Sequence, residues 1–298
     1  SKGNPDKKIL TAKYPNFLKS APYSLQQVMD SLKIPYLAQK ILVAYWCYLG
    51  LGTKRVSFTI FGAMFYKYLV KGAYIPKYRS HGYTCALDKK IRELGGDIEY
   101  NTKVEKIFVE NGKIIGVETS QGDKIKTNYV VSNASPHLVY NNLIYPKSEV
   151  PEIAYKTCNA RKVGFSALVV YLGLDKTFKE LGLNEYGYFV YSSPDTNDIY
   201  KAFSVLDTPM AQATICLNNG IPDCSPKGTS IMSFTTLFRG DCWEGVEPKD
   251  YFDLKSKLAK AMIEDFEKAL GVSIQDSIEE IEIATPATFA NYTGAFNG

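Results

Sequence analysis

The residues able to do acid–base or charge chemistry in this chain are few. His81 and His137 are the only histidines among the 298 residues. Tyr78, Arg79, Ser80 and His81 set a phenol, a guanidinium, a hydroxyl and an imidazole in consecutive positions. An arginine placed there could stabilise an anion with a charge that never titrates. No acid–base dyad accompanies them. His137 follows the Asn133-Ala134-Ser135-Pro136 turn and reads as structural. Cysteines at 47, 85, 158, 216, 224 and 242 never form Cys-x-x-Cys and lack zinc spacing, so no metal is expected. Each reads as a small buried hydrophobe in a reduced, cytoplasmic protein. Gly-x-Ser-x-Gly and a Gly-Lys-Ser/Thr phosphate loop do not occur. Neither does Gly-x-Gly-x-x-Gly, and Gly50-Leu51-Gly52 lacks the third glycine. A dinucleotide pyrophosphate needs such a turn between a strand and a helix amino end.

The elements around these residues can be read from periodicity. Leu87, Ile91 and Leu94 recur at helical spacing, predicting a helix over 82–94 with those residues as its apolar face. Gly95-Gly96 stops it. An extended piece at 97–100 and a strand at 104–109 follow. Asn111-Gly112 predicts a hairpin, because both central residues of a type I′ turn take positive φ. Strands at 114–119 and 124–131 complete a meander. Upstream, Ser24 and Gln27 form a capping box for a first helix. Pro35 opens a second that runs to 49, and 57–70 makes a third. Downstream, 136–143 is a short helix and 146–151 a loop. Strands are expected at 162–172, 186–191, 202–206, 212–217 and 230–237. The series implies an antiparallel sheet. Residues 250–270 are a clear amphipathic helix closed by Gly271, and 278–283 alternates as an edge strand with a wet glutamate face.

The combined tract resembles the phytoene desaturase and retinol saturase group of FAD-dependent oxidoreductases, within the wider amine-oxidase-like flavoproteins. Leu94-Gly95-Gly96, Asn101-Thr102-Lys103-Val104 and Val130-Val131-Ser132-Asn133-Ala134 match it in order. So do Thr285-Pro286-Ala287-Thr288 and Tyr292-Thr293-Gly294. The departure is Tyr78-Arg79, which stands where the group has two glycines before its serine.

The resemblance implies an α+β or α/β fold, in which a partial FAD-binding domain of helix plus β-meander joins a substrate domain of antiparallel sheet and helices. Residues 1–74 would be the helical part of the substrate domain and 75–136 the partial FAD-binding domain. Residues 137–284 would be the substrate domain proper, with 285–298 returning toward the FAD side. It implies FAD as cofactor and leaves NAD(P)H open as electron donor. Tyr78, Arg79, Ser80 and His81 would approach the flavin ring. Val104 would hold the adenine end through its backbone, and Asn133 and Ala134 would pack beside the cofactor. The implied reaction is flavin hydride transfer at carbon–carbon bonds of an apolar polyene, carotenoid or retinoid in type. A flavin amine oxidase and a non-catalytic module binding an apolar ligand remain alternatives. The group's glycine fingerprint lies upstream of this tract and a further flavin segment downstream, so the sequence reads as an internal fragment, poor at holding FAD alone.

Composition adds limits. The chain is 45% hydrophobic, enough for one large core or two smaller ones. A net charge of +4 spread over the length suggests no nucleic-acid partner. The 22 tyrosines suit a wide apolar cavity with polar spots, or an ordinary aromatic core. The uncharged run at 41–52 is too short to span a bilayer, which needs about 20 residues. The first seventy residues are read either as a packed helical cap or as a surface that also touches a membrane.

Overall fold

The computed structural model describes residues 6–161, 164–296 and 298. The chain forms two compact units. The first holds Ser1–Ile75, Val169–Phe238 and Val246–Ile283; the second holds Pro76–Leu168, Arg239–Gly245 and Ala284–Gly298. Residues 137–161 are grouped with the meander in the second unit.

The first unit opens with helices α1 (Lys7–Lys13), α2 (Pro15–Ser20), α3 (Leu25–Ser31), α4 (Tyr36–Leu42) and α5 (Phe58–Tyr66). Ser24 caps α3 as the spacing predicts: its side chain accepts from the Gln27 amide, and Gln27 returns a bond to the Ser24 amide. The helix expected from 36 to 49 is instead broken. α4 ends at Leu42 and a separate 3-10 turn, Trp46–Leu49, ends on Gly50 at φ +62. A π turn, Lys67–Lys71, continues α5.

In the second unit, α6 (Arg79–Glu93) begins three residues earlier than its periodicity suggests. Arg79, Ser80 and His81 therefore occupy a first helical turn rather than a loop. Gly95, at φ +83, ends the helix region. The apolar face, Leu87, Ile91 and Leu94, is exposed, and α6 buries no residue. Apolar spacing shapes a helix, but burial needs a partner surface, and none of the described residues supplies one. Strands β1 (Val104–Glu110), β2 (Lys113–Thr119), β3 (Lys124–Lys126) and β4 (Ile144–Tyr145) make a sheet in the order β3-β2-β1-β4. Asn111 and Gly112 take φ +50 and +73, as the hairpin requires. The extended piece at 97–100 joins no strand. β3 stops after three residues, so 127–134 is irregular where a strand was expected. Backbone without a neighbour to bond makes no ladder, whatever its propensity. The parallel β1–β4 pairing escapes sequence reading because β4 is only two residues long. Helices α7 (Pro136–Leu138) and α8 (Glu152–Asn159) follow, with a π turn, Val139–Leu143, extending α7.

The second sheet contains β5 (Phe165–Leu174), β6 (Gly187–Tyr191), β7 (Ala211–Cys216), β8 (Ser230–Arg239) and β9 (Ile278–Ala284), in the order β6-β7-β8-β5-β9. Positions 162 and 163 of the expected strand lie outside the described residues. β6, β7 and β8 pair antiparallel. The strand expected at 202–206 is instead the end of helix α9 (Thr196–Ala202) and a turn, because the Asp195 side chain caps a helix there. Short α10 (Leu217–Gly220) follows β7. α11 (Tyr251–Leu270) closes on Gly271 at φ +67, and Thr285 caps α12 (Pro286–Thr293). β9 sits at the sheet edge with Glu279, Glu280 and Glu282 exposed.

Alternation gives this sheet two faces. Tyr188, Gln212 and Phe234 point toward α11. Tyr188 and Phe234 pack edge-on against Phe266, Phe234 at 5.1 Å between centroids. Gln212 Nε2 donates to the Met262 carbonyl at 2.8 Å. Phe189, Tyr191, Ala213 and Thr235 therefore point the other way. That second face is where the cavity lies.

Candidate functional site

Over Phe189, Tyr191 and Ala213 sits a roof made by the 3-10 turn and its neighbours. Tyr45 packs 4.8 Å from Tyr68 and edge-on to Phe189 at 5.9 Å; Tyr48 stands 5.5 Å from Phe189 at 87°. Quadrupoles favour such edge-to-face meetings. Between roof and sheet is a cavity of about 570 Å³, lined by Tyr45, Tyr48, Tyr68, Tyr74, Phe189 and Ile215 among others. A second cavity of about 250 Å³ shares Tyr48, Phe189 and Ala213 with it and reaches Cys47, Tyr191 and Thr235. Among the described residues, exposed Glu185 is the one charged residue in either wall.

The Tyr48 and Tyr191 hydroxyls and the Cys47 thiol are held neutral by burial. Burial, followed by the Tyr68 hydroxyl, holds the Tyr48 phenol well above its ordinary 10. Burial and then Cys47 do the same for Tyr191. Burial also raises the Cys47 thiol, against a smaller lowering by its bond with Tyr191. A protonated thiol is a poor nucleophile, so this cysteine is packing. Tyr191 donates to the Ala44 carbonyl at 2.6 Å and sits 3.3 Å from Cys47 Sγ. Sequence reading did not find this cluster. Its only signal was tyrosine abundance, because roof and sheet are far apart in the chain.

The residues expected to meet FAD lie in the second unit, and all are exposed. Tyr78 precedes α6, with Lys77 Nζ 5.4 Å from its ring. A Cβ on Gly82 would fall 2.5 Å from that of Tyr78, so this turn needs glycine. Arg79 holds φ +60, unusual for a side-chain-bearing residue, and has no ion pair among the described residues. His81 Nε2 lies 3.5 Å from Cys85 Sγ, one turn on. Val104 opens β1 opposite Thr119. Asn133 and Ala134 sit in the irregular segment, where the Ala134 amide donates to Ser132 Oγ at 3.2 Å. Tyr78, Arg79, Ser80 and His81 thus share one turn. Among the described residues, no hydrogen bond joins that turn to Val104 or Asn133. These residues are open to solvent, yet among the described residues no glycine-rich turn supplies amides for a pyrophosphate. The fit to the cofactor is partial. His137 lies in the wall of another cavity, about 660 Å³ and mostly apolar, stacked 5.8 Å from Phe296. Among the described residues no group of three His, Cys, Asp or Glu could hold a metal ion.

The flavin containing amine oxidoreductase family matches residues 10–286. The chain belongs to that family. This flavoprotein chain is 26% identical over 225 residues to prolycopene isomerase of Daucus carota, covering 73% of itself and 34% of that protein. It is 24% identical to all-trans-retinol 13,14-reductase of Danio rerio, covering 95% of itself and 49% of the relative. With 1-hydroxycarotenoid 3,4-desaturase of Flavobacterium sp. it shares 23% identity, covering 99% of itself and 51% of the relative. It therefore spans between about a third and a half of these relatives. The fold is shared with an oxidoreductase from Methanosarcina mazei at TM-score 0.59 and 17% identity, covering 95% of this chain and 66% of that one. A putrescine oxidase variant gives TM-score 0.55 at 12% identity, covering 92% and 56%. The resemblance carried by the Gly-Gly break and the Asn-Gly hairpin is borne out, as is the mixed α and β fold.

Proposed function

We propose that this chain forms the substrate-holding part, and one side of the cofactor site, of a flavin oxidoreductase acting on carbon–carbon bonds of an apolar, polyene-like molecule of carotenoid or retinoid type. The aromatic cavity over β6–β8 carries the reading. Its walls offer rings and hydroxyls, with charge among the described residues only at Glu185. A long hydrocarbon gains about 25 cal/mol for each Å² buried in such a place. The relatives named for carotenoids and retinol point the same way.

When bound, FAD supplies the acceptor or donor of the hydride, with NAD(P)H as its proposed reductant in the reducing direction. The protein's share is placement and dryness. Tyr48 and Tyr191 keep their protons, so neither phenol turns a charge toward the hydrocarbon. The turn holding Tyr78, Arg79, Ser80 and His81 is proposed to face the flavin ring, with Arg79 as a fixed positive charge. Val104 is proposed for the adenine end, and Asn133 with Ala134 for the cofactor's flank. On this reading the second unit is the FAD side and the first the substrate side.

One observation favours a second reading. A carboxylate in the cavity wall, Glu185, would pair with the ammonium of an amine substrate. Titration separates the two. All-trans-retinol is expected to bind saturably, read from its own emission, and at least tenfold more weakly to Ala213→Phe, which fills the cavity. Putrescine should not compete. Putrescine binding that vanishes in Glu185→Gln would establish the amine reading instead, and no binding of either would remove both.

A further inference from the structure

Ile153, Ala154, Thr157, Cys158 and Arg161 fall at i, i+1, i+4, i+5 and i+8, one stripe of helix α8 and its end. Pro136, His137 and Tyr140 make a matching stripe on α7 and the π turn that extends it. The two stripes supply most of the wall of the 660 Å³ cavity in the second unit. No carboxylate lines that cavity among the described residues. Arg161 brings a fixed positive charge, and His137, Tyr140 and Thr157 bring groups able to donate a hydrogen bond. The carboxylates nearest in sequence are engaged elsewhere. Glu152 pairs with Lys156 at 2.6 Å, and Glu149 accepts from the amides of Asn111 and Gly112 at 3.1 and 2.9 Å. Arg161 is exposed and has no ion pair among the described residues. None of these wall residues lines the aromatic cavities of the first unit.

We propose that this cavity is a second ligand site, taking an aliphatic carboxylate, a hydrocarbon tail that ends in one negative head. The Arg161 guanidinium offers a planar fork of donors that matches the two oxygens of a carboxylate. Pro136, Pro151, Ile153, Ala154 and Cys158 give the tail a surface on which to leave water. The volume falls within the range of small-molecule sites, roughly 300–1,000 Å³. A neutral hydrocarbon would leave the arginine unanswered, and an inorganic anion would leave the apolar wall wet. The aromatic cavity of the first unit has the opposite character, since the Glu185 carboxylate in its wall would repel such a head. The assignment is independent of the polyene reading, because it uses no residue of that cavity.

Calorimetric titration with decanoate, kept below its micelle concentration, tests it. Decanoate should bind at one site per chain and at least about tenfold more tightly than decanol, which lacks the charged hydrogen bond. Each methylene removed should weaken binding about fourfold, so octanoate should bind about fifteenfold more weakly. Arg161→Gln should lower decanoate affinity at least about tenfold and leave decanol unchanged. Ala154→Phe, which fills the cavity, should abolish both. Arg161 is exposed, so its variant decides the matter should Ala154→Phe not fold. Decanoate binding retained in Ala213→Phe would keep this site apart from the polyene reading, however retinol behaves. No binding, equal affinity for decanoate and decanol, or full affinity in Arg161→Gln would overturn the proposal. So would loss of decanoate binding in Ala213→Phe, or its displacement by FAD, which would give the cavity to the cofactor.

Discussion

Tyr191→Phe removes one oxygen atom and leaves the ring stacked on Phe189, 6.2 Å away with planes 4° apart. What is lost is the bond to Ala44, which ties the roof of the cavity to β6. A made hydrogen bond nets about 1 kcal/mol, and leaving a partly buried carbonyl without a donor raises the cost to about 1–3 kcal/mol. Domains of this size lose roughly 2–4 °C of melting temperature per kcal/mol, so a fall of about 5 °C is expected near pH 7. Fluorescence reports it, since Trp46 on the same turn is 2% exposed. The pH dependence gives a second, sharper reading. Burial, then Cys47, holds the Tyr191 hydroxyl above its ordinary value of 10. The unfolded chain therefore releases this proton first. Stability from the neutral hydroxyl is fully present below pH 10 and is lost as pH climbs past it. The wild-type advantage over Tyr191→Phe should narrow there until the two curves meet. Equal melting temperatures at pH 7, or curves that stay parallel through pH 11, would refute the reasoning.

Two further predictions concern parts remote from that bond. Glu267 accepts from the amides of Ile274 at 2.6 Å and Gln275 at 2.9 Å. Burial alone would raise its pKa, but those amides outweigh it and the carboxyl sits below the ordinary 4.5. Glu267→Ala should cost about 2–4 kcal/mol in urea unfolding at pH 7. The difference should shrink as pH falls below 4.5, where the carboxylate's contribution is lost; a constant difference down to pH 2.5 would exclude the assignment. A Cβ on Gly116 would lie 2.6 Å from the Ile125 carbonyl. Gly116→Ala should therefore detach β3, seen as faster hydrogen exchange at 124–126 with β1 unchanged, and protection equal to wild type would count against that packing.

The sequence by itself determined what depends on residues a few positions apart. Ser24 and Gln27 announced a capping box, Asn111-Gly112 a hairpin, and Gly271 the end of a long amphipathic helix. Each is a matter of local φ and short hydrogen bonds. Ordered words such as Leu94-Gly95-Gly96 and Asn101-Thr102-Lys103-Val104 were enough to place the chain among flavoproteins. What only tertiary structure decided was which faces meet. Tyr191 and Ala44 are 147 residues apart, and nothing local to either foretells their bond. The leucines of α6 have a core-facing pattern yet lie open, and the strand expected through Val131 ends at Lys126. Periodicity specifies the side of an element that would favour burial. Whether that side is buried, and how far a strand runs, depends on the neighbour that supplies the other half of each contact.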